Sequence, residues 1–171
     1  MGIIRCTAKL LTELKTKPTN GPSQSPAWCD WHANLLWVDR KKCVLFTNNQ
    51  TLYSFFLPLV KMKKLILKNF EEVFRLGLFK SLMTEGFAEP QVEYVLREHQ
   101  HIVIAKTNSR SILGSMNDLA FQIKSMIYAT GGLANADLSE INRQLNRIPM
   151  SAINYKVSID ELKRLLADTG R

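Results

Sequence analysis

At 171 residues, with 46 % apolar and 22 % charged positions, the chain has the size and composition of one globular domain, neither disordered nor fibrous. Its 23 Lys and Arg outnumber 15 Asp and Glu, giving a net charge of +8, and its three cysteines (Cys6, Cys29, Cys43) show no C-x-x-C spacing, which excludes a disulfide framework and a zinc finger. No apolar run approaches the roughly 18 residues of a membrane span, and Lys9 and Glu13 interrupt any leader-like core, so the expectation is a reduced, cytoplasmic protein with no membrane partner.

Residues 3–6 read as a short strand, and Thr7 is placed to cap a helix ending at Leu14, with Leu10, Leu11 and Leu14 on one face. Residues 15–27 hold three of the six prolines and little that could enter a core, so they predict a flexible surface loop inside a single domain spanning 1–171. Trp31, Ala33, Leu35 and Trp37 alternate as in a half-buried strand. A four-residue loop, Asp39-Arg40-Lys41-Lys42, then leads into Cys43–Thr47 as a hairpin, and Asn48–Gln50 turns the chain into a third strand ended by Pro58.

Beyond this meander the pattern becomes helical. Asn69 and Glu72 have capping-box spacing ahead of Phe70, Val73, Phe74, Leu78 and Leu82, and Gly86 stops that helix. Pro90 opens a short helix, and His101–Ala105 is a compact apolar run that predicts a central strand. Ile112, Met116, Leu119, Ile123 and Ile127 mark one face of a long helix ended by Gly131-Gly132. Asp137 with Glu140 and Ser158 with Glu161 begin two more helices. Strands early and helices late predict an α+β fold: a mostly antiparallel sheet, the three-strand meander plus a central strand near 101–105, with helices covering one face.

The positive charge is uneven, since residues 1–86 carry 13 Lys and Arg against 6 acidic residues, while residues 87–171 carry 10 against 9. Arg40, Lys41, Lys42, Lys61, Lys63, Lys64 and Lys68 account for much of the excess, and Asn142, Arg143, Gln144, Asn146 and Arg147 form a second polar, basic face. Such residues suit phosphate contacts with nucleic acid, although Arg143 and Arg147 equally suit a network pinning the C-terminal segment. Exposed aromatics beside Arg40-Lys41-Lys42 would make a platform for single strands. Alternation along a strand favours the core for Trp28, Trp31, Trp37, Tyr53, Phe55 and Phe56.

The densest polar constellation runs from Lys106 to Asp118. Here an apolar strand leads through a polar turn into a helix, whose first N–H groups lack intrahelical acceptors and whose dipole favours an anion. Lys106, Asn108, Ser109, Arg110 and Ser111 surround that point, with Asn117 and Asp118 farther along. Ordinary capping by Asn108 or Ser109 competes with this reading. The multiple glycines of a nucleotide-binding loop are missing. Ser111, Ser115, Asp118 and Gln122 form a polar stripe on the same helix, and Gly114 would permit close approach of another element. Cys6 and Cys43 read as packing residues and Cys29 as exposed. His32, His99 and His101 lack metal-ligand spacing, so no metal and no organic cofactor are expected.

Several blocks carry a resemblance: Ile3-Ile4-Arg5-Cys6-Thr7, Trp31-His32-Ala33-Asn34-Leu35, Leu45-Phe46-Thr47-Asn48, Thr51-Leu52-Tyr53-Ser54-Phe55, the segment Lys106 to Asp118, and Leu145-Asn146-Arg147-Ile148-Pro149-Met150-Ser151. Together they resemble a family of small bacterial proteins described only as a domain of unknown function. The resemblance spans nearly the whole chain and implies a bacterial, single-domain protein; no activity and no catalytic residue come with it. From the residues themselves the expected function is a binding module for a phosphate-bearing partner, nucleic acid or a nucleotide-like ligand. Two alternatives stay open: a small enzyme on a phosphorylated or nucleotide substrate, using Arg110, Asn117 and Asp118 with a histidine, and a regulatory domain contacting an acidic protein.

Overall fold

In the computed structural model, which describes residues 1–20, 25–59 and 67–169, the hairpin is the spine of the sheet. Strands β2 (Asp30–Val38) and β3 (Lys41–Asn48) pair antiparallel, with Leu35 opposite Val44. Lys41 and Lys42 are strand residues, paired with Val38 and Trp37, so the expected four-residue loop shortens to Asp39-Arg40. Both tip residues have positive φ, 48° and 61°, the mirror-image turn that matches the twist of the flanking strands. Strand β4 (Ser54–Pro58) adds antiparallel to β3 and completes the meander.

The other side of the sheet departs from expectation. Strand β1 (Gly2–Cys6) lies parallel to β2, and β5 (Ile102–Lys106) lies parallel to β1, giving the order β4-β3-β2-β1-β5. The fold is α+β, but the sheet is mixed, and β5 is an outer strand. Its outer edge is closed at one point by Thr19, whose N–H donates to the Ile104 carbonyl at 2.9 Å.

Helices pack on both faces, correcting the one-sided layering. Against Ile4, Trp31, Val44, Phe46 and Phe55 lie α1 (Ala8–Leu14), α2 (Leu67–Thr84), α3 (Glu89–Glu98) and α6 (Ser158–Thr169). Against Leu36, Val38, Cys43, Leu45 and Phe56 lie α4 (Arg110–Ala129) and α5 (Leu138–Leu145). Two-residue strands β6 (Pro149–Met150) and β7 (Lys156–Val157) form a small hairpin before α6. Within the described residues α2 already runs from Leu67, so Asn69 lies inside the helix and not at its cap. Among the described residues no helix is long and apolar enough to cross a membrane.

Gly77 shows how closely α2 meets the sheet. A Cβ there would lie 2.7 Å from the Phe55 ring and closer still to Leu57. Replacing glycine by alanine within a helix gains about 1 kcal/mol of propensity, whereas overpacking a core costs about 1–3 kcal/mol. Gly77→Ala is therefore expected to lower the thermal midpoint, and a raised midpoint would show that the contact relaxes freely.

Helix α5 solves a different problem, the unpaired backbone of β4. The Asn146 amide accepts from Ser54 N–H at 2.7 Å and donates to the Ser54 carbonyl at 2.8 Å. Asn142 makes the same exchange with Phe56, at 2.9 and 3.2 Å. Four helical residues rise about 6 Å and two strand residues about 6.8 Å, so amides at i and i+4 meet alternate strand positions. Two side chains thereby stand in for a neighbouring strand.

Candidate functional site

Helix α4 positions the residues of interest. Its apolar side buries Ile112, Met116, Leu119, Ile123 and Ile127, as the periodicity predicts. Ser115 is buried with them, so the polar stripe is rotated from the expected one: residues 110, 111, 114, 117, 118, 121, 124, 125 and 128 face solvent. Gly114 has open space around its Cβ direction, and among the described residues no other element approaches it there.

The chain enters α4 from the carboxyl end of β5, beside the carboxyl end of β1. Helix α1 leaves β1 toward one face and α4 leaves β5 toward the other. Such a divergence between adjacent parallel strands opens a crevice in many α/β proteins. Here the polar groups serve the chain itself, and the Thr7 hydroxyl, expected to cap α1, makes no cap hydrogen bond. Ser109 Oγ accepts from Ile112 N–H at 3.3 Å, and Thr7 Oγ1 donates to Asn34 Oδ1 at 2.9 Å. Arg5 is held by Asp30 at 2.8 Å and reaches the Lys106 carbonyl at 3.5 Å. Lys106, Asn108, Arg110 and Ser111 are exposed, and Asn117 and Asp118 share their stripe. Arg110 and Asp118 are eight positions apart on the helix, about 12 Å along the axis, so the seven candidate residues line one surface and do not close into one pocket.

No histidine joins them at the surface. His32 is fully buried, with Nδ1 2.6 Å from Asn49 Oδ1. His99 is fully buried under Trp31, and His101 is exposed at the end of β5 opposite Arg110. Among the described residues no group of three His, Cys, Asp or Glu gathers at metal-binding distance. All three cysteines are buried and unpaired, including Cys29, which the sequence placed at the surface. Burial pushes the Cys6 and Cys29 thiols up to about 12 and Cys43 to about 11.

At its far end α4 meets the hairpin tip. Strand β1 ends opposite Ala33, so β2 outruns its parallel neighbour and carries Trp37 beyond the core. Trp37 remains 54 % exposed, whereas Trp31, Tyr53, Phe55 and Phe56 are buried and Trp28 is half-buried against Tyr94. Trp37, Phe121, Lys124 and Tyr128 line one open groove of about 490 Å³. Lys42 Nζ lies 5.5 Å from the Trp37 ring centroid and 2.6 Å from Glu13 Oε1. The Asp39 carboxylate accepts from Leu133 N–H, which ties the tip to the end of α4. Arg40, Lys41 and Lys124 are exposed, and among the described residues no carboxylate pairs with them.

The remaining basic candidates divide. Lys61, Lys63 and Lys64 lie outside the described residues. Arg147 holds Glu85 with two hydrogen bonds of 3.0 and 2.7 Å, and Arg143 pairs with Glu140 at 3.3 Å, so both serve the helical layer. Phe121 and Tyr128 were missed in the sequence. Seven residues apart and opposite the Ile112–Ile127 side, they were visible on the helical repeat as apolar residues on the wrong face.

A family model described as Domain of unknown function (DUF6933) matches residues 3–161. Neither the curated proteins nor the solved structures contain a match to the chain.

Proposed function

Because the chain belongs to this family, whose description assigns no activity, we propose a function from the surface itself: a nucleic-acid-binding module that uses the hairpin tip and the adjoining end of α4. The observation that carries this reading is a set of exposed cations without carboxylate partners among the described residues: Lys124 lines the groove, and Arg40 and Lys41 follow its lining residue Asp39 at the hairpin tip. The one acid of that groove, Asp39, is engaged by a backbone N–H. A polyanion gains affinity there by releasing counterions, whatever its sequence. Inert, buried thiols and a net charge of +8 suit a cytoplasmic protein that meets such polymers.

Anisotropy titration of a labelled mixed-sequence oligonucleotide at about 50 mM salt tests the proposal, because binding of this kind weakens linearly in log–log salt plots. The triple variant Arg40→Glu, Lys41→Glu, Lys124→Glu is expected to lose affinity about tenfold or more. Absence of binding by the unmodified protein at tens of micromolar would remove the proposal.

A further inference from the structure

From the aromatics that share this surface we infer, resting on the nucleic-acid reading above, that the site takes a single strand with its bases unpaired. Trp37, Phe121, Tyr128 and Tyr155 are 54 %, 68 %, 87 % and 75 % exposed. Phe121 is the ridge between two adjoining grooves, the first shared with Trp37 and Tyr128 and the second with Tyr155. Tyr155 stands there with φ at 59°, directly after Asn154 at 57°. A left-handed backbone is unfavourable for a bulky residue, and this one presents its ring to solvent beside the second groove. The exposed Phe121, Tyr128 and Tyr155 rings, with Trp37 at the edge of the first groove, present apolar area that a duplex, with its bases already stacked, cannot use.

Charge sets the orientation. Lys124 lines the first groove, and the exposed Arg40 and Lys41 follow its lining residue Asp39 in the hairpin, whereas Asp118 is the charged residue lining the second. Phosphates therefore track the hairpin side, and bases lie over the rings toward Asp118, whose carboxylate accepts from exocyclic amines. Phe121 and Tyr128 are about 10 Å apart along the helix axis, the length of about three stacked nucleotides.

The test compares one labelled 12-nucleotide strand with its own duplex by anisotropy, using the whole chain. The single strand is expected to bind at least about tenfold tighter. The variant Trp37→Ala, Phe121→Ala, Tyr128→Ala removes exposed rings and should fold normally by circular dichroism. It should lose single-strand affinity by about 100-fold, since each lost stack weakens binding severalfold or more. It should also erase the preference over duplex, while the charge-reversal variant weakens both forms together. Equal binding of duplex and single strand, or an aromatic variant that binds like the unmodified protein, overturns the inference and leaves nucleic-acid binding standing. Failure of the unmodified protein to bind either form overturns both.

Discussion

Acidification from pH 7.5 to 4.5 is expected to cost the fold on the order of 2–3 kcal/mol through His99 alone. The ring is fully buried among Trp28, Trp31 and Phe74. Trp31 Nε1–H donates to its Nε2 at 3.0 Å, and its Nδ1 lies 2.7 Å from the Val95 carbonyl. That pair of partners fixes a neutral imidazole protonated on Nδ1. A proton added to Nε2 would face the indole N–H. Burial dominates and lowers the His99 pKa from 6.5 to about 4, against the smaller raising effect of the Val95 carbonyl. The unfolded chain therefore binds a proton that the folded chain refuses between those values. Stability is complete above about pH 6.5, falls as pH drops toward about 4, and levels off below. His32, also lowered by burial, acts in the same direction. Urea midpoints followed by tryptophan emission at the two pH values measure the effect. An unchanged midpoint would contradict it, and His99→Gln should flatten most of the dependence.

The second large effect falls on Asn146. Asn146→Ala is expected to destabilise the protein by about 3–4 kcal/mol, because removing one partner leaves several buried groups unsatisfied at about 1–3 kcal/mol each. The side chain is fully buried and serves Ser54 N–H, the Ser54 carbonyl, the Asn142 carbonyl and the Ser158 hydroxyl, all within 2.9 Å. It therefore joins β4, α5 and the start of α6 through one amide. Asn142, only partly buried, should cost about half as much when truncated. Denaturant unfolding at constant m-value separates the two, and equal losses would show that burial does not set the difference.

Much of the fold was legible because local patterns and tertiary packing agree. Alternation from Trp31 to Trp37 marked β2, and the Ile112–Ile127 repeat marked the buried side of α4. The turn was misread because Asp39-Arg40 adopts left-handed backbone without the usual glycine, while Lys41 and Lys42 look like loop residues and pair in the ladder. His101–Ala105 resembled a central strand because an apolar run reports two buried faces and says nothing of lateral neighbours. Parallel pairing of β1 depends on the crossover through α1, which no local spacing reveals. At the site, Arg40 and Lys41 were legible as charge, and Lys124, Phe121 and Tyr128 became meaningful only once α4 lay beside the hairpin. Asn142 and Asn146 read equally as ligand contacts or structural pins; the strand beside them decides for the latter.

The occupied edge of β4 and the single bridge on β5 bear on how separate molecules meet. Beside β4 the two asparagine amides occupy the donors and acceptors that a second chain would need, and Thr19 interrupts the row along β5. An open, apolar strand edge is a template on which copies can add in register and grow into fibrils. Here an approaching copy finds side chains already seated in those places. Along β4 the apolar sheet is thus shielded from polymerising with itself by two amide side chains, with no further strand among the described residues covering that edge.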